Sequence, residues 1–120
     1  MWPFLGIFMK KIETLKLNYE FKNVFDKGNY FVGKQIIVYF YNNNKNTNRL
    51  GIAISNKLCN AVKRNYIKRV IRSAYQSFDK INKSKDIVFI WNKKENVDNI
   101  KYDIIKKDIE NAFLKNGIIN

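Results

Sequence analysis

The chain has 120 residues, of which 46% are hydrophobic and 15% aromatic, enough for one core but too short a chain for a second domain. Its 23 lysines and arginines against 10 aspartates and glutamates leave a formal charge of +13, which makes a polyanion such as nucleic acid the expected partner. One cysteine and no histidine exclude an internal disulfide and the usual zinc sites, and they fit a reducing cytoplasm.

The first nine residues, MWPFLGIFM, are apolar, but no apolar run in the chain approaches the roughly 20 residues that cross a membrane. Charges follow this run instead of preceding it, and no small-residue cleavage site comes after it, which argues against a secretory signal. We expect residues 1–8 to be a disordered tail or an upstream extension in front of a true start at Met9. The folded domain is then expected to span residues 9–120.

The stretch LNYEFKNVFDKG predicts a first helix, because Phe21, Val24 and Phe25 fall on one face. We expect Asn18 to cap its start and Gly28 to end it in the left-handed conformation.

Strand patterns follow this helix. KQIIVYFY is apolar or aromatic on both faces, and the polar loop NNNKNTN then reverses the chain. In RLGIAIS, one face comprises Leu50, Ile52 and Ile54, whereas the other has only small side chains between its polar ends. That bare face would let another group approach the backbone closely.

The second half of the chain alternates helix and strand. A helical pattern runs from Asn60 to about Phe78, DIVFIW is a buried strand, and YDIIKKDIENAFLKNG is an amphipathic helix that Gly117 ends. The inward side of this last helix is predicted to be Tyr102, Ile105, Ile109, Ala112 and Phe113. The order helix, two or three strands, helix, strand, helix predicts one α+β domain with helices packed on a small sheet.

The helix that begins at Asn60 separates its charges from its core side. At 100° per residue, an arc of roughly 140° contains Arg64, Asn65, Lys68, Arg69 and Arg72. The predicted core side comprises Val62, Tyr66, Ile67, Val70, Ile71, Ala74 and Phe78. An A- and T-rich coding sequence would explain many lysines, but it explains the clustered arginines less well.

Two features of this helix favour a bound polyanion over a solvated face. No Asp or Glu stands at the i+3 or i+4 positions that would relieve repulsion within the basic arc. Lys63 and Arg64 also lie in the first turn, where the helix dipole disfavours cations. A docked phosphate would reverse that penalty, so we expect RNA or DNA binding here and consider a membrane surface much less suitable.

Three aromatic residues form a second candidate site. Phe21 and Phe25 are about one helical turn apart, and Tyr39 lies on a strand whose other face already supplies the core. The pattern fits a core role for all three equally well. If they line an open surface, they form a stacking platform for unpaired bases.

The segments RLGIAISNK and NAVKRNYIKRVIR together resemble the protein component of bacterial ribonuclease P. Members of that family carry the pattern R-x-G-[apolar]-x-[apolar]-S-K-K-x-x-N-A-V-x-R-N-R-x-K-R-x-x-R, and the resemblance covers most of the chain from Met9 onward. It implies an α-β-β-β-α-β-α sandwich with a left-handed crossover, an exception to the usual right-handed rule. It also implies a subunit that binds one large catalytic RNA and the single-stranded 5′ leader of precursor tRNA, which the RNA-based endonuclease removes.

The resemblance implies binding residues but no catalytic side chain in the protein. Those expected to bind the catalytic RNA are Arg49, Ser55, Lys57, Asn60, Lys63, Arg64, Asn65, Lys68, Arg69 and Arg72. The leader would lie in a cleft lined by Phe21, Phe25 and Tyr39. Mg²⁺ is expected to be bound mainly by the RNA, and neither a membrane nor an obligatory protein partner is expected.

Three residues depart from the family pattern. Tyr66 replaces the second arginine of R-N-R, and Asn56 replaces the first lysine of S-K-K. Cys59 stands where glycine is usual, which raises the question of its backbone conformation because cysteine is costly at positive φ. The lost cations predict somewhat weaker electrostatic binding of RNA.

Two other functions compete with this interpretation. A protein-only, metal-dependent nuclease would need the carboxylates of Asp86, Asp98, Asp103, Asp108 and Glu110, but no D-x-D or similar cluster follows an apolar strand. A ribosomal or general RNA-binding module without a role in cleavage would share the charge and the aromatics. It would not account for the order of the central motif.

Overall fold

The computed structural model describes residues 13–78, 81–82 and 84–119. It begins with a two-residue strand β1 (Glu13–Thr14), helix α1 (Asn18–Lys27) and strands β2 (Asn29–Val32), β3 (Ile36–Asn42) and β4 (Arg49–Ala53). Helix α2 (Ala61–Gln76), strand β5 (Lys85–Trp91), a short 3₁₀ helix (Val97–Asn99) and helix α3 (Tyr102–Lys115) follow. This order confirms the predicted α+β domain and adds β1. The expected extension, residues 1–8, lies outside the described residues.

The five strands form one mixed sheet in the order β1-β4-β5-β3-β2. β4 pairs in parallel with β1 and β5, whereas β3 pairs antiparallel with β5 and β2. Because β4 and β5 are parallel neighbours, α2 is the crossover between them. The left hand of that crossover stays a prediction from the resemblance.

Each face of the sheet packs against a different layer. On one face, alternate residues of β3 and β5 such as Val38 and Phe89 join Ile67 and Ile71 of α2 and Ile109 of α3 in the main core. On the opposite face, α1 packs over β3 and β5 in a smaller cluster centred on Leu15, Val24 and Val88. The two-sided apolar pattern of β3 therefore reflects a central strand that is covered by helices on both faces.

The ends of α1 differ from the prediction. Leu17, and not Asn18, is the N-cap, and the Glu20 carboxylate accepts hydrogen bonds from the backbone N–H groups of Lys16 and Leu17 at 2.9 Å. Gly28 ends the helix at φ −81°, which is not left-handed. Glycine is needed there because a Cβ atom would lie 2.3 Å from the Phe40 carbonyl oxygen.

The last helix largely follows the prediction. Ile105, Ile109, Ala112 and Phe113 are buried, but Tyr102 is exposed because it lies at the first position of α3. Gly117 has φ +67° two residues after the helix ends, as expected of a helix stop.

Candidate nucleic-acid interface

Helix α2 is capped at its start and buried along one side. The Asn60 side chain caps α2 by accepting a hydrogen bond from the Lys63 backbone N–H at 2.9 Å. Further along, Ile67, Ile71 and Ala74 are fully buried in the main core. Since these apolar residues point to the sheet, the predicted basic arc is turned away from it.

The structure places most of the predicted RNA-binding residues on this outer side. Asn65, Arg69 and Arg72 are exposed, and Lys68 is partly exposed. Arg64 is also partly exposed, and its Nη1 donates to the Cys59 carbonyl at 2.8 Å. Ser55, Lys57 and Asn60 are exposed in and after the turn that connects β4 to α2. We refer to the predicted RNA-binding residues within α2 as the basic face: Arg64, Asn65, Lys68, Arg69 and Arg72.

Lys63 has partners at the edge of this face. Its Nζ lies 3.6 Å from the Asp98 carboxylate and 5.6 Å from the centroid of the Tyr66 ring. Asp98 comes from the 3₁₀ helix, so its proximity to Lys63 depends on the tertiary fold. A phosphate that binds Lys63 would therefore compete with the exposed Asp98 carboxylate. This competition costs little, because an ion pair at the surface contributes little free energy.

Arg49 differs from the other predicted RNA-binding residues because its guanidinium is enclosed and already paired. Its side chain is 18% exposed, and it binds both oxygens of the buried Asp86 carboxylate, from Nε at 2.8 Å and from Nη2 at 2.7 Å. Its Nη1 also pairs with Glu20 of α1. These contacts, above all the hydrogen bonds to Asp86, raise the pKa of Arg49. Arg49 thus joins α1, β4 and β5 beneath the surface, away from the exposed basic face.

Two residues on the predicted core side of α2 are exposed instead. Val62 is 79% exposed and Tyr66 is 45% exposed, since the first buried residue of the helix is Ile67. The helical periodicity placed both on the core side, because periodicity alone cannot show where along the helix its packing against the sheet begins. Cys59 is not among the described residues with positive φ, so its departure from glycine causes no backbone strain.

The aromatic residues lie on the opposite face of the sheet, beneath and beside α1. The Phe21 ring packs on the bare face of β4, where a Cβ atom on Gly51 would lie 2.6 Å from its Cε1. Phe25 is exposed, and its ring meets that of Tyr39 edge to face at a centroid distance of 4.9 Å. Both Phe21 and Tyr39 are only partly buried, so the three predicted leader-binding residues line one partly open surface.

Sequence reasoning missed one member of this surface. The ring of Tyr30, on β2, lies 5.6 Å from that of Tyr39 and is exposed. The short run NYFV, which only Gly33 separates from KQIIVYFY, has the composition of a strand. Its place at the edge of the sheet becomes apparent once β3 is located. We call Phe25, Tyr39 and Tyr30 the aromatic row.

The candidate carboxylates of a protein-only nuclease are dispersed. Asp86 is bound to Arg49, while Asp108 accepts from the backbone N–H groups of Lys34, Gln35 and Ile36. Asp98 is near Lys63, Asp103 is exposed, and Glu110 pairs with Lys107. Within the described ranges, no three His, Cys, Asp or Glu side chains come together in a way that could bind a metal ion. No helix in that part of the chain is long and apolar enough to cross a membrane.

The fold and these two surfaces define a small, strongly basic α+β protein whose basic face and partly exposed aromatic residues lie on opposite sides of the sheet. A sequence model of the Ribonuclease P family matches residues 9–117. The chain is therefore a member of that family, the protein components of a tRNA-processing enzyme, and the predicted resemblance is confirmed.

Individual relatives agree with this assignment. The Ribonuclease P protein component of Fusobacterium nucleatum subsp. nucleatum is 36% identical over 111 residues, covering 90% of this chain and 100% of that protein. The component from Clostridium kluyveri is 35% identical over 110 residues, covering 89% and 96%.

Solved structures show the same fold. The RNase P protein of Staphylococcus aureus has a TM-score of 0.76 at 32% identity, over 92% of this chain and 100% of that one. The RNase P protein of Thermotoga maritima has a TM-score of 0.72 at 29% identity, over 82% and 93%.

Proposed function

We propose that this protein binds ribonuclease P RNA through the basic face and the 5′ leader of precursor tRNA through the aromatic surface. In that role it promotes endonucleolytic removal of the leader in the cytoplasm, while the RNA performs the chemistry. The observation that carries this proposal is the exposed single-sign face of α2. Its exposed Arg69 and Arg72 have no acidic neighbour in the helix to neutralise them, which is the electrostatic footprint of a phosphate-binding surface.

The second surface supports a role for an unpaired strand. Phe25 is exposed, and Phe21 and Tyr39 stay partly exposed although they pack against the smaller cluster beneath α1. The main core lies on the other face of the sheet and does not include them. Aromatic rings at a surface bind unpaired bases with little regard to sequence, at about 1–3 kcal/mol per base. Such tolerance suits a leader whose sequence differs from one precursor tRNA to the next.

Mg²⁺ in this proposal belongs to the RNA, where it would neutralise phosphates and activate the attacking water. The protein's own residues bind the catalytic RNA and the precursor tRNA and orient them. Asp86 and Asp108, the two buried candidates for a metal site, already use their oxygens on Arg49 and on backbone N–H groups. Their chemistry therefore fits a structural role better than a metal-binding one.

Reconstitution with the ribonuclease P RNA of the same source tests the proposal. Cleavage of a precursor tRNA at near-physiological Mg²⁺ is measured for RNA with protein, RNA alone and protein alone. We expect the combination to cut at the mature 5′ end far faster than RNA alone, and protein alone to be inactive. If the protein binds the RNA without changing cleavage, it is a general RNA-binding module; if it cuts alone, the carboxylates are catalytic.

Arg69→Ala is the most direct variant for the basic face, because Arg69 is exposed and no contact within the fold depends on it in the described structure. Lys106→Ala, at an exposed position of α3, removes the same charge elsewhere and serves as the matched control. We expect Arg69→Ala to weaken RNA binding and to reduce the salt slope by about 0.7–0.9, the value of one lost phosphate contact, with little change for Lys106→Ala. If the two variants weaken RNA binding equally, the basic face is not a specific binding site and contributes only through the net charge of the protein.

A further inference from the structure

Tyr30 occupies the free edge of the sheet. It lies on β2, the outermost strand, directly opposite Tyr39 in the antiparallel register. The two ring centroids are 5.6 Å apart with an angle of 34° between the ring planes. Tyr30 is nevertheless 64% exposed, so most of its ring contacts solvent and the pair with Tyr39 covers only part of it.

Tyr39 connects Tyr30 to the surface proposed to bind the leader. Its ring contacts the ring of Phe25 of α1, at a centroid distance of 4.9 Å, and that of Tyr30, at 5.6 Å. The aromatic row thus runs from α1 across β3 to the sheet edge. Val32, two residues after Tyr30 and therefore on the same face of β2, is also exposed and extends the apolar surface along the edge.

We infer that Tyr30 binds one additional unpaired nucleotide of the strand that occupies Phe25 and Tyr39, by stacking of the base on its exposed ring. The inference rests on the proposed function, since it extends the proposed leader site by one subsite. Continuity of the three rings supports it, because a strand lying across Phe25 and Tyr39 reaches Tyr30 without leaving the aromatic surface. The charge of +13 favours a polyanion over a second copy of this chain at the same edge.

The experiment uses the reconstituted ribonucleoprotein and precursor tRNAs whose leaders carry a single abasic nucleotide at successive positions. Tyr30→Leu keeps an apolar side chain but removes the flat ring, whereas Tyr30→Phe keeps the ring. We expect Tyr30→Leu to weaken binding of leader-bearing precursor tRNA about fivefold or more, and Tyr30→Phe to change it less than about twofold. Affinity for mature tRNA, which has no leader, should not change.

The abasic series then identifies the nucleotide. At one leader position the abasic substitution and Tyr30→Leu should be non-additive, because each removes the same stacking contact. That position should differ from the one that couples to Tyr39→Leu. Tyr19→Leu on α1 is the matched control, since Tyr19 is 62% exposed, and it should couple to no leader position.

The outcomes separate this inference from the function on which it rests. If Tyr39 couples to a leader nucleotide and Tyr30 to none, the extra subsite is refuted while leader binding stands. If the wild-type protein does not distinguish precursor from mature tRNA, the proposed leader site itself fails. If Tyr30→Leu instead changes the mass of the free protein in sedimentation, the edge is a contact between copies and the inference is overturned.

Discussion

Replacing Arg49 with Met tests whether this arginine stabilises the fold or contacts RNA. The substitution keeps an unbranched side chain but removes the guanidinium from between Asp86 and Glu20. Asp86 is buried, and among the described residues its carboxylate would retain only the hydrogen bond from Asn43 Nδ2, at 2.7 Å. Glu20 would retain the two backbone N–H groups at the start of α1.

The expected loss of stability follows from this burial. Removing one partner of a buried ion pair costs about 3–5 kcal/mol, because the other charge is left uncompensated. Arg49 is partly accessible and Asp86 keeps one donor, so we expect the lower end, about 3 kcal/mol. At roughly 3–5 °C per kcal/mol for a domain of this size, the melting temperature should fall by about 10 °C or more.

Urea unfolding of Arg49→Met, Asp86→Asn and the double variant measures this contribution. We expect the double variant to be clearly more stable than the sum of the single effects predicts, since the unpaired carboxylate is then absent. In RNA binding below the unfolding transition, Arg49→Met should keep the wild-type salt slope, whereas Arg72→Met should lower it by about 0.7–0.9. An unchanged stability together with a lowered slope for Arg49→Met would show that Arg49 contacts a phosphate and refute this reasoning.

Three further predictions concern other residues. The backbone N–H groups of Leu17 and Lys16, with Arg49, lower the pKa of Glu20. Its contribution to stability should be complete above the unfolded value of about 4.3 and disappear as the pH falls through the folded pKa. Glu20→Gln should therefore lower stability near pH 7, and this loss should shrink as the pH falls below about 4.3, whereas a loss that does not change with pH would contradict it. Asp108→Asn should cost about 1–3 kcal/mol in urea unfolding, because an amide cannot accept from all three N–H groups of the β2–β3 turn; a loss below 0.5 kcal/mol would count against that role. Tyr66→Arg should steepen the salt dependence of RNA binding, and an unchanged slope would refute a missing cation at this position.

Local patterns predicted the elements well where a single periodicity dominated. The helical spacing of buried residues in α2 and α3, and the alternation in β3, match the structure. In β4, Leu50 and Ile52 belong to the main core as predicted, but Gly51 between them is buried as well. The start of α1 was predicted one residue late because Asn18 is a good capping residue in isolation. The backbone instead uses Glu20, whose carboxylate accepts from both N–H groups that precede the helix.

Charge and aromatic patterns predicted the candidate surfaces less completely. The helical periodicity of α2 correctly separated Arg69 and Arg72 from Ile67 and Ile71, since a helix that packs on a sheet needs only one apolar side. The periodicity could not show that Val62 lies in the first turn of α2, before the helix begins to pack in the core. Nor could it show the pairing of Arg49, whose carboxylate partners come from two distant parts of the chain.

The α+β class, the helix–strand order, the basic face and the resemblance to the ribonuclease P family could all be read from the amino-acid sequence, because they depend on the order and spacing of residues along the chain. Which charged side chains are paired, and which aromatic rings contact each other, became known only from the folded chain. Folding brought Arg49 between Glu20 and Asp86, and it set Tyr30 beside Tyr39 at the sheet edge. Such contacts depend on how distant segments pack, so no periodicity within one segment contains them.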